Sequence, residues 1–212
     1  MQTPPLKRDP GASAEPAVLR RWGVTDCDAV DQPALTRSLV RLQDDERAPP
    51  SDVARLIRHI RRRYHRSVAG IIKDAVALAT TCESAHSADD LWSHGLSDRL
   101  AEILDALEHH QQREDAVVFP LLLAQKPEAA KAAAFMATEH SHIRTLVDAL
   151  SATTRGYQAP PQACATWRVL YILCCKIDVD IREQMRMEER ELFSPLIRES
   201  TEAADCSGAM SG

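Results

Sequence analysis

Hydrophobic residues recur at three- and four-residue steps along four long stretches, the period of amphipathic helices. In the first, Ser51 and Asp52 supply a helix cap, and Val53, Leu56, Ile57, Ile60, Tyr64, Val68, Ile71, Ile72, Ala75, Val76 and Ala79 keep the period to about residue 81. Residues 82–90 read as a loop containing His86, with His94 just beyond, and both histidines are expected at the surface. The second helix is expected from about residue 89 to 124, with Leu91, Leu96, Leu100, Ile103, Leu104 and Leu107 on its inner face. Lys126-Pro127 breaks the chain, and Phe135, Met136, Ile143, Leu146, Val147 and Leu150 mark one face of a third helix over 127–154. After the turn-rich segment 156–161, a fourth helix over 161–198 carries Trp167, Leu170, Tyr171, Cys174, Ile177 and Ile181 inward. Short connections between four helices of similar length predict an all-α, up-down-up-down four-helix bundle over residues 52–198.

Outside that bundle the pattern changes. Residues 1–16 hold prolines 4, 5, 10 and 16 and Gly11, a composition expected to form a disordered tail, and residues 199–212 are expected to form another. Residues 17–47 contain two short amphipathic segments around Cys27 and predict a small helical module that must dock on the bundle or form a homodimer. Residues 48–51, with Pro49 and Pro50, read as the linker.

Composition supports the helical reading, because 7 glycines and 4% aromatic residues in 212 suit helices better than a sandwich or barrel. The net charge of −5 gives no general affinity for nucleic acid. No apolar run reaches the roughly 18 residues that a membrane span needs, and the first residues lack the apolar core of a secretory signal, so a cytoplasmic protein is expected. The six cysteines show no zinc-type spacing, and Cys174 and Cys175, within an apolar helical run, read as core thiols. Arg58, Arg61, Arg62, Arg63 and Arg66 around His59 form a basic run, usually a solvated face.

The polar residues that interrupt the inner faces carry the chemistry. His110 and Glu114 continue the line of Ile103 and Leu107, and four-residue spacing stacks an imidazole and a carboxylate on one side of a helix. A single such pair is most often solvated, but a buried carboxylate is costly and a metal ion offsets that cost. The phrase recurs as Gln184 and Glu188 on the fourth helix; Phe119 lies five residues after Glu114, and Phe193 five after Glu188. Upstream, His65 precedes His110 by 45 residues and His140 precedes Gln184 by 44. Two related helix pairs are thus expected to point one histidine and one paired ligand set each at a shared centre, the way a bundle builds a two-metal carboxylate site.

Tyr64-His65, His110-x-x-x-Glu114 leading to Val118-Phe119-Pro120, Glu139-His140 and the segment from Gly156 through Trp167 to Tyr171 together resemble the repair-of-iron-centres proteins, di-iron members of the hemerythrin-like superfamily. The resemblance covers roughly residues 52–198, and the segment around Cys27 is similar to that family's small N-terminal domain, with one cysteine where the family usually has two in succession. It implies a hemerythrin-like bundle holding two carboxylate-bridged iron ions through His65, His110, Glu114, His140 and Glu188, with the two glutamates bridging. The sixth family ligand, a histidine, falls on Gln184; an amide oxygen is a poorer iron ligand than imidazole, so the second iron is expected to be held more weakly. Asp180, Glu183 and Glu191 are the nearby carboxylates available as substitutes. Phe119, Phe193 and Leu107 would wall the site.

The resemblance implies a cytoplasmic stress protein that protects or repairs iron–sulfur centres in client proteins by iron donation or nitric oxide handling. A second reading is a buffer or sensor that binds nitric oxide or dioxygen without catalysis, and a third is an interaction bundle holding one metal or none. Neither nucleic acid nor membrane is an expected partner.

Overall fold

The computed structural model describes residues 52–198, so the readings for residues 1–51 and 199–212, including the Cys27 module, lie outside the described residues. Four antiparallel helical rods form a ring in which the first packs on the second and fourth, and the third closes the ring between those two. The first rod joins α1 (Val53–Ile60), a π-helical turn π1 (Arg61–His65) and α2 (Arg66–Ala85). The second joins α3 (Leu96–Arg113), π2 (Glu114–Val118) and the short α4 (Phe119–Leu123). The third is the uninterrupted α5 (Glu128–Thr153), and the fourth joins α6 (Ala165–Met187) to π3 (Glu188–Phe193) and a final helical turn. No strand occurs among the described residues, and no helix there is long and apolar enough to cross a membrane.

Local signals account for the ends. Asp52 caps α1 by accepting a hydrogen bond from the Arg55 amide at 2.8 Å. Gly95 precedes α3 with φ at +75°, a left-handed conformation that costs glycine little. That turn corrects the expected start of the second helix: residues 86–95 form the connection, α2 continues through Cys82 to Ala85, and Leu91 is exposed instead of lining the core. Val53 and Phe135, placed on inner faces by periodicity, are also exposed. Val53 opens its helix where no neighbour covers it, and the Phe135 ring lies outside under the Arg113 guanidinium, 5.2 Å from its centroid.

The core runs the length of the ring. Leu56, Ile60, Ile72, Leu100, Leu107, Val147, Leu170 and Ile177 are fully or almost fully buried. At one end Trp92 and Trp167 meet edge to face at 5.0 Å, and Ser93 Oγ, 2.7 Å from the Tyr171 hydroxyl, donates to the Thr153 carbonyl. The other half of the core encloses a cluster of buried polar side chains.

Candidate metal centre

Polar and charged residues from all four rods are buried in this second half, and the six singled out by the spacing argument are among them. His110, Glu114, His140, Gln184 and Glu188 are all at most 1% exposed and His65 is 9% exposed. One ligand atom from each of His110, Glu114, His140 and Glu188 can be chosen so that all lie within 4.8 Å of one another. His140 Nε2 is 3.2 Å from Glu188 Oε2 and 3.2 Å from His110 Nε2, which in turn is 3.6 Å from Glu114 Oε2. His65 joins from the first rod with Nε2 3.2 Å from Glu114 Oε2.

The three π turns fall on this site. One ends at His65, and the other two begin at Glu114 and Glu188. A π turn holds an extra residue, so the helix beyond it is rotated relative to a continuous α-helix, and such turns gather at functional sites. On an ideal wheel His65 stands at the edge of the apolar stripe, whereas the widened turn buries it against the Phe119 ring, 5.9 Å away and nearly parallel. His140 stacks in the same way on Phe193 at 5.8 Å. Phe119, Phe193 and Leu107 are buried, so the pocket wall beside the polar atoms is apolar.

Gln184 turns toward a carboxylate. Its Nε2 donates to Glu188 Oε1 at 2.9 Å, and its own Oε1 is buried without a hydrogen-bond partner. The proposed substitutes do not enter the cluster. Asp180 is buried but held by Lys176 Nζ at 2.8 Å and Arg63 Nη2 at 3.4 Å, Glu183 pairs with Arg186, and Glu191 pairs with Arg190.

The electrostatics of the cluster are unbalanced. Burial, reinforced by the neighbouring Glu188, drives the Glu114 carboxyl well above the usual carboxylate range. Burial pushes Glu188 upward too, but the contacts from His110 and His140 outweigh it and hold that carboxyl down to about 2. Burial lowers the pKa of His65, which favours the neutral imidazole that ligates metals. Both oxygens of Glu114, Oε2 of Glu188 and both ring nitrogens of His65 are buried without a hydrogen-bond partner. Orphaned lone pairs on one imidazole and two carboxylates, converging from three rods in a buried pocket beside His110 and His140, are the donor set that a divalent transition metal satisfies, so these residues fit a metal.

A second layer has no counterpart in the sequence reading. His140 Nδ1 is 2.9 Å from Glu189 Oε1, which accepts from Arg144 at 2.7 Å. His110 Nδ1 is 3.2 Å from Glu139 Oε2, and Glu139 also pairs with Arg113. His65 Nδ1 faces Asp115 Oδ2 at 3.7 Å, and Asp115 accepts from Arg61 at 2.6 Å. His110 and His140 therefore have Nε2 toward the cluster and Nδ1 toward a carboxylate backed by an arginine, an arrangement that fixes ring orientation and raises ligand basicity, while His65 Nδ1 faces such a carboxylate without bonding it. Of the basic run, Arg63 turns inward to pair with Asp180, and Arg61 reaches Asp115 while its side chain stays partly exposed. The available signal was adjacency: Asp115, Glu139 and Glu189 each flank a cluster residue, and a neighbour about 100° around a helix faces the next rod. Glu139→Gln and Glu189→Gln are each expected to weaken metal binding by about 10–100-fold while leaving the helical content unchanged, as checked by metal titration and far-ultraviolet circular dichroism.

Fold and site together define a cation-binding helical bundle, and a family model described as the hemerythrin HHE cation binding domain matches residues 56–196. The chain belongs to the hemerythrin HHE family. It is similar to the iron-sulfur cluster repair protein YtfE of Cronobacter sakazakii, 28% identical over 169 residues that span 79% of this chain and 76% of the relative. The protein of the same name from Salmonella typhimurium is 27% identical over the same extent.

Proposed function

We propose that this chain is a cytoplasmic di-iron protein of the nitric oxide and oxidative stress response that protects or rebuilds iron–sulfur centres. The observation that carries the reading is the closed convergence of His110, Glu114, His140 and Glu188, with His65 on its edge, in a chain similar to proteins named for iron–sulfur cluster repair. Bound there, iron supplies open coordination positions for a diatomic ligand and exchanges single electrons. The protein's part is to present imidazoles and two carboxylates, to orient His110 and His140 by the Glu139 and Glu189 contacts with Asp115 facing His65, and to keep water out with Phe119 and Phe193.

The two halves of the centre differ. Gln184 contributes an amide that hydrogen-bonds Glu188, where the other half has the His110 imidazole. Glu139, which faces His110 Nδ1, precedes His140, the upstream histidine of the other half; its counterpart in the repeat, the residue before His65, is Tyr64, so position 184 has no equivalent carboxylate to orient an imidazole. A weaker half suits a protein that gives up iron. Gln184→His is expected to raise the iron retained per chain after passage over a chelating resin, and unchanged retention would show that position 184 does not reach the metals.

The function is tested by mixing the iron-loaded protein with an enzyme whose iron–sulfur cluster has been damaged by nitric oxide. Recovery of the client's activity together with loss of iron from the bundle supports repair by donation. The apolar wall favours one alternative, in which the pocket holds nitric oxide or dioxygen as a buffer or sensor. Tight, reversible gas binding with no recovery of the client would decide for that alternative.

A further inference from the structure

A second constellation of reactive side chains lies at the tryptophan end of the bundle. Cys82 in the last turn of α2 is 17 residues past His65, about 25 Å along the rod at 1.5 Å per residue, so it is remote from the metal pocket. Cys164 occupies the cap position of α6, where serine, threonine, aspartate and asparagine are the usual residues. Both are thiols in this structure, Cys82 buried and Cys164 exposed. His86 Nε2 is 3.2 Å from the Cys164 sulfur, and its Nδ1 is 3.9 Å from Asp89 Oδ2. Trp92 and Trp167 flank the imidazole at 6.2 and 5.1 Å, which corrects the expectation of a surface histidine: His86 is half-buried and aimed at a thiol.

These contacts have one chemical sense. Cys82 stands one helical turn before His86, whose amide donates to the Cys82 carbonyl at 2.8 Å, so the buried thiol lies on the side of the rod from which His86 meets Cys164. The neighbouring Cys82 thiol is the main reason the Cys164 pKa falls to about 5. Burial opposes the shift, while the Trp167 amide and His86 add to it, although the amide closes no cap hydrogen bond of ordinary geometry. By contrast, burial pushes the Cys174 thiol far up, and that cysteine is inert packing. An exposed thiolate, at the positive end of a 23-residue helix and in contact with a buried second thiol, has the form of an attacking and a resolving cysteine.

We propose that Cys164 and Cys82 form a thiol redox site, separate from the metal centre, in which Cys164 attacks a low-molecular-weight disulfide and Cys82 resolves the adduct. In the first step the Cys164 thiolate bonds to one sulfur of RSSR, the reagent's sulfur–sulfur bond breaks, and RS⁻ leaves. In the second, Cys82 bonds to the Cys164 sulfur and expels the other half of the reagent as a second thiolate; the proton lost by Cys82 passes to the released thiolate. The two protein sulfurs give up two electrons, and RSSR is reduced to two thiol equivalents. The resulting bond would tie the end of the first rod to the start of the fourth.

The test uses the iron-loaded full-length chain and oxidised glutathione without dioxygen, followed by alkylation and peptide mapping without reduction. The expected main product is a peptide pair joined through Cys82 and Cys164, with Cys174 alkylated. Cys82→Ala, which leaves no buried hydroxyl in place of the thiol, is expected to abolish that pair and to accumulate a Cys164–glutathione mixed disulfide. Cys164→Ser is expected to leave residue 82 reduced. The proposal is overturned if the wild-type chain forms no Cys82–Cys164 pair, or if its Cys164 stops at the mixed disulfide as the Cys82→Ala variant does.

Discussion

Replacing Glu114 by glutamine is expected to move the melting temperature in opposite directions with and without metal. The Glu114 carboxyl is fully buried, neither oxygen has a hydrogen-bond partner, and Glu188 lies in the same pocket. Such a group disfavours folding through its desolvation, and a neutral amide of the same shape relieves that cost. Each kcal/mol recovered is worth roughly 2–4 °C in a domain of this size, so the metal-free variant should melt higher than the wild type. Loaded with iron the order reverses, because an amide oxygen is a weaker donor than a carboxylate. A hundredfold loss of affinity removes about 2.7 kcal/mol of ligand-derived stability. Calorimetry of both proteins in both states checks the crossing; the same sign of change in both states would mean that Glu114 is an ordinary core residue.

The second large effect is that of the metal on the wild-type protein. A ligand at a thousand times its dissociation constant stabilises the native state by about 4.1 kcal/mol. At roughly 2–4 °C per kcal/mol, anaerobic removal of iron should lower the melting temperature by about 8–16 °C. The effect should be concentrated on the half of the bundle that holds the cluster, because the Trp92, Trp167 and Tyr171 packing at the other end needs no ion. Amides that exchange by local opening are therefore expected to speed up most around His65, His110, His140 and Glu188. Unchanged exchange around those residues would contradict a metal site there.

Much of this architecture was legible in the sequence because helical periodicity is a local property. The steps through Ile103, Leu107, His110 and Glu114 lie on one uninterrupted α-helical face, since the π turn starts only at Glu114. The repeat of that phrase at Gln184 and Glu188 gave a second face by the same arithmetic, and both faces are buried. The π turns themselves left no mark, because they depend on which carbonyl an amide selects and not on residue type. The start of α3 departs from the sequence pattern for a related reason: Asp89 and Asp90 offer cap chemistry, but the buried Trp92 and the left-handed Gly95 set the turn. The carboxylates on the outer ring nitrogens were signalled only by adjacency to cluster residues, and the thiol pair at the far end joins residues as distant as Cys82 and Cys164. Pattern along one chain does not encode such pairs.

In the proposed centre, imidazoles and carboxylates from four rods hold two iron ions. An anomalous difference map, recorded at the iron absorption edge from crystals of the anaerobically loaded protein, tests this most directly. Two peaks are predicted in the pocket bounded by His65, His110, Glu114, His140, Gln184 and Glu188, the weaker one beside Gln184. A map with no peak there, or with iron bound only at the protein surface, would contradict it.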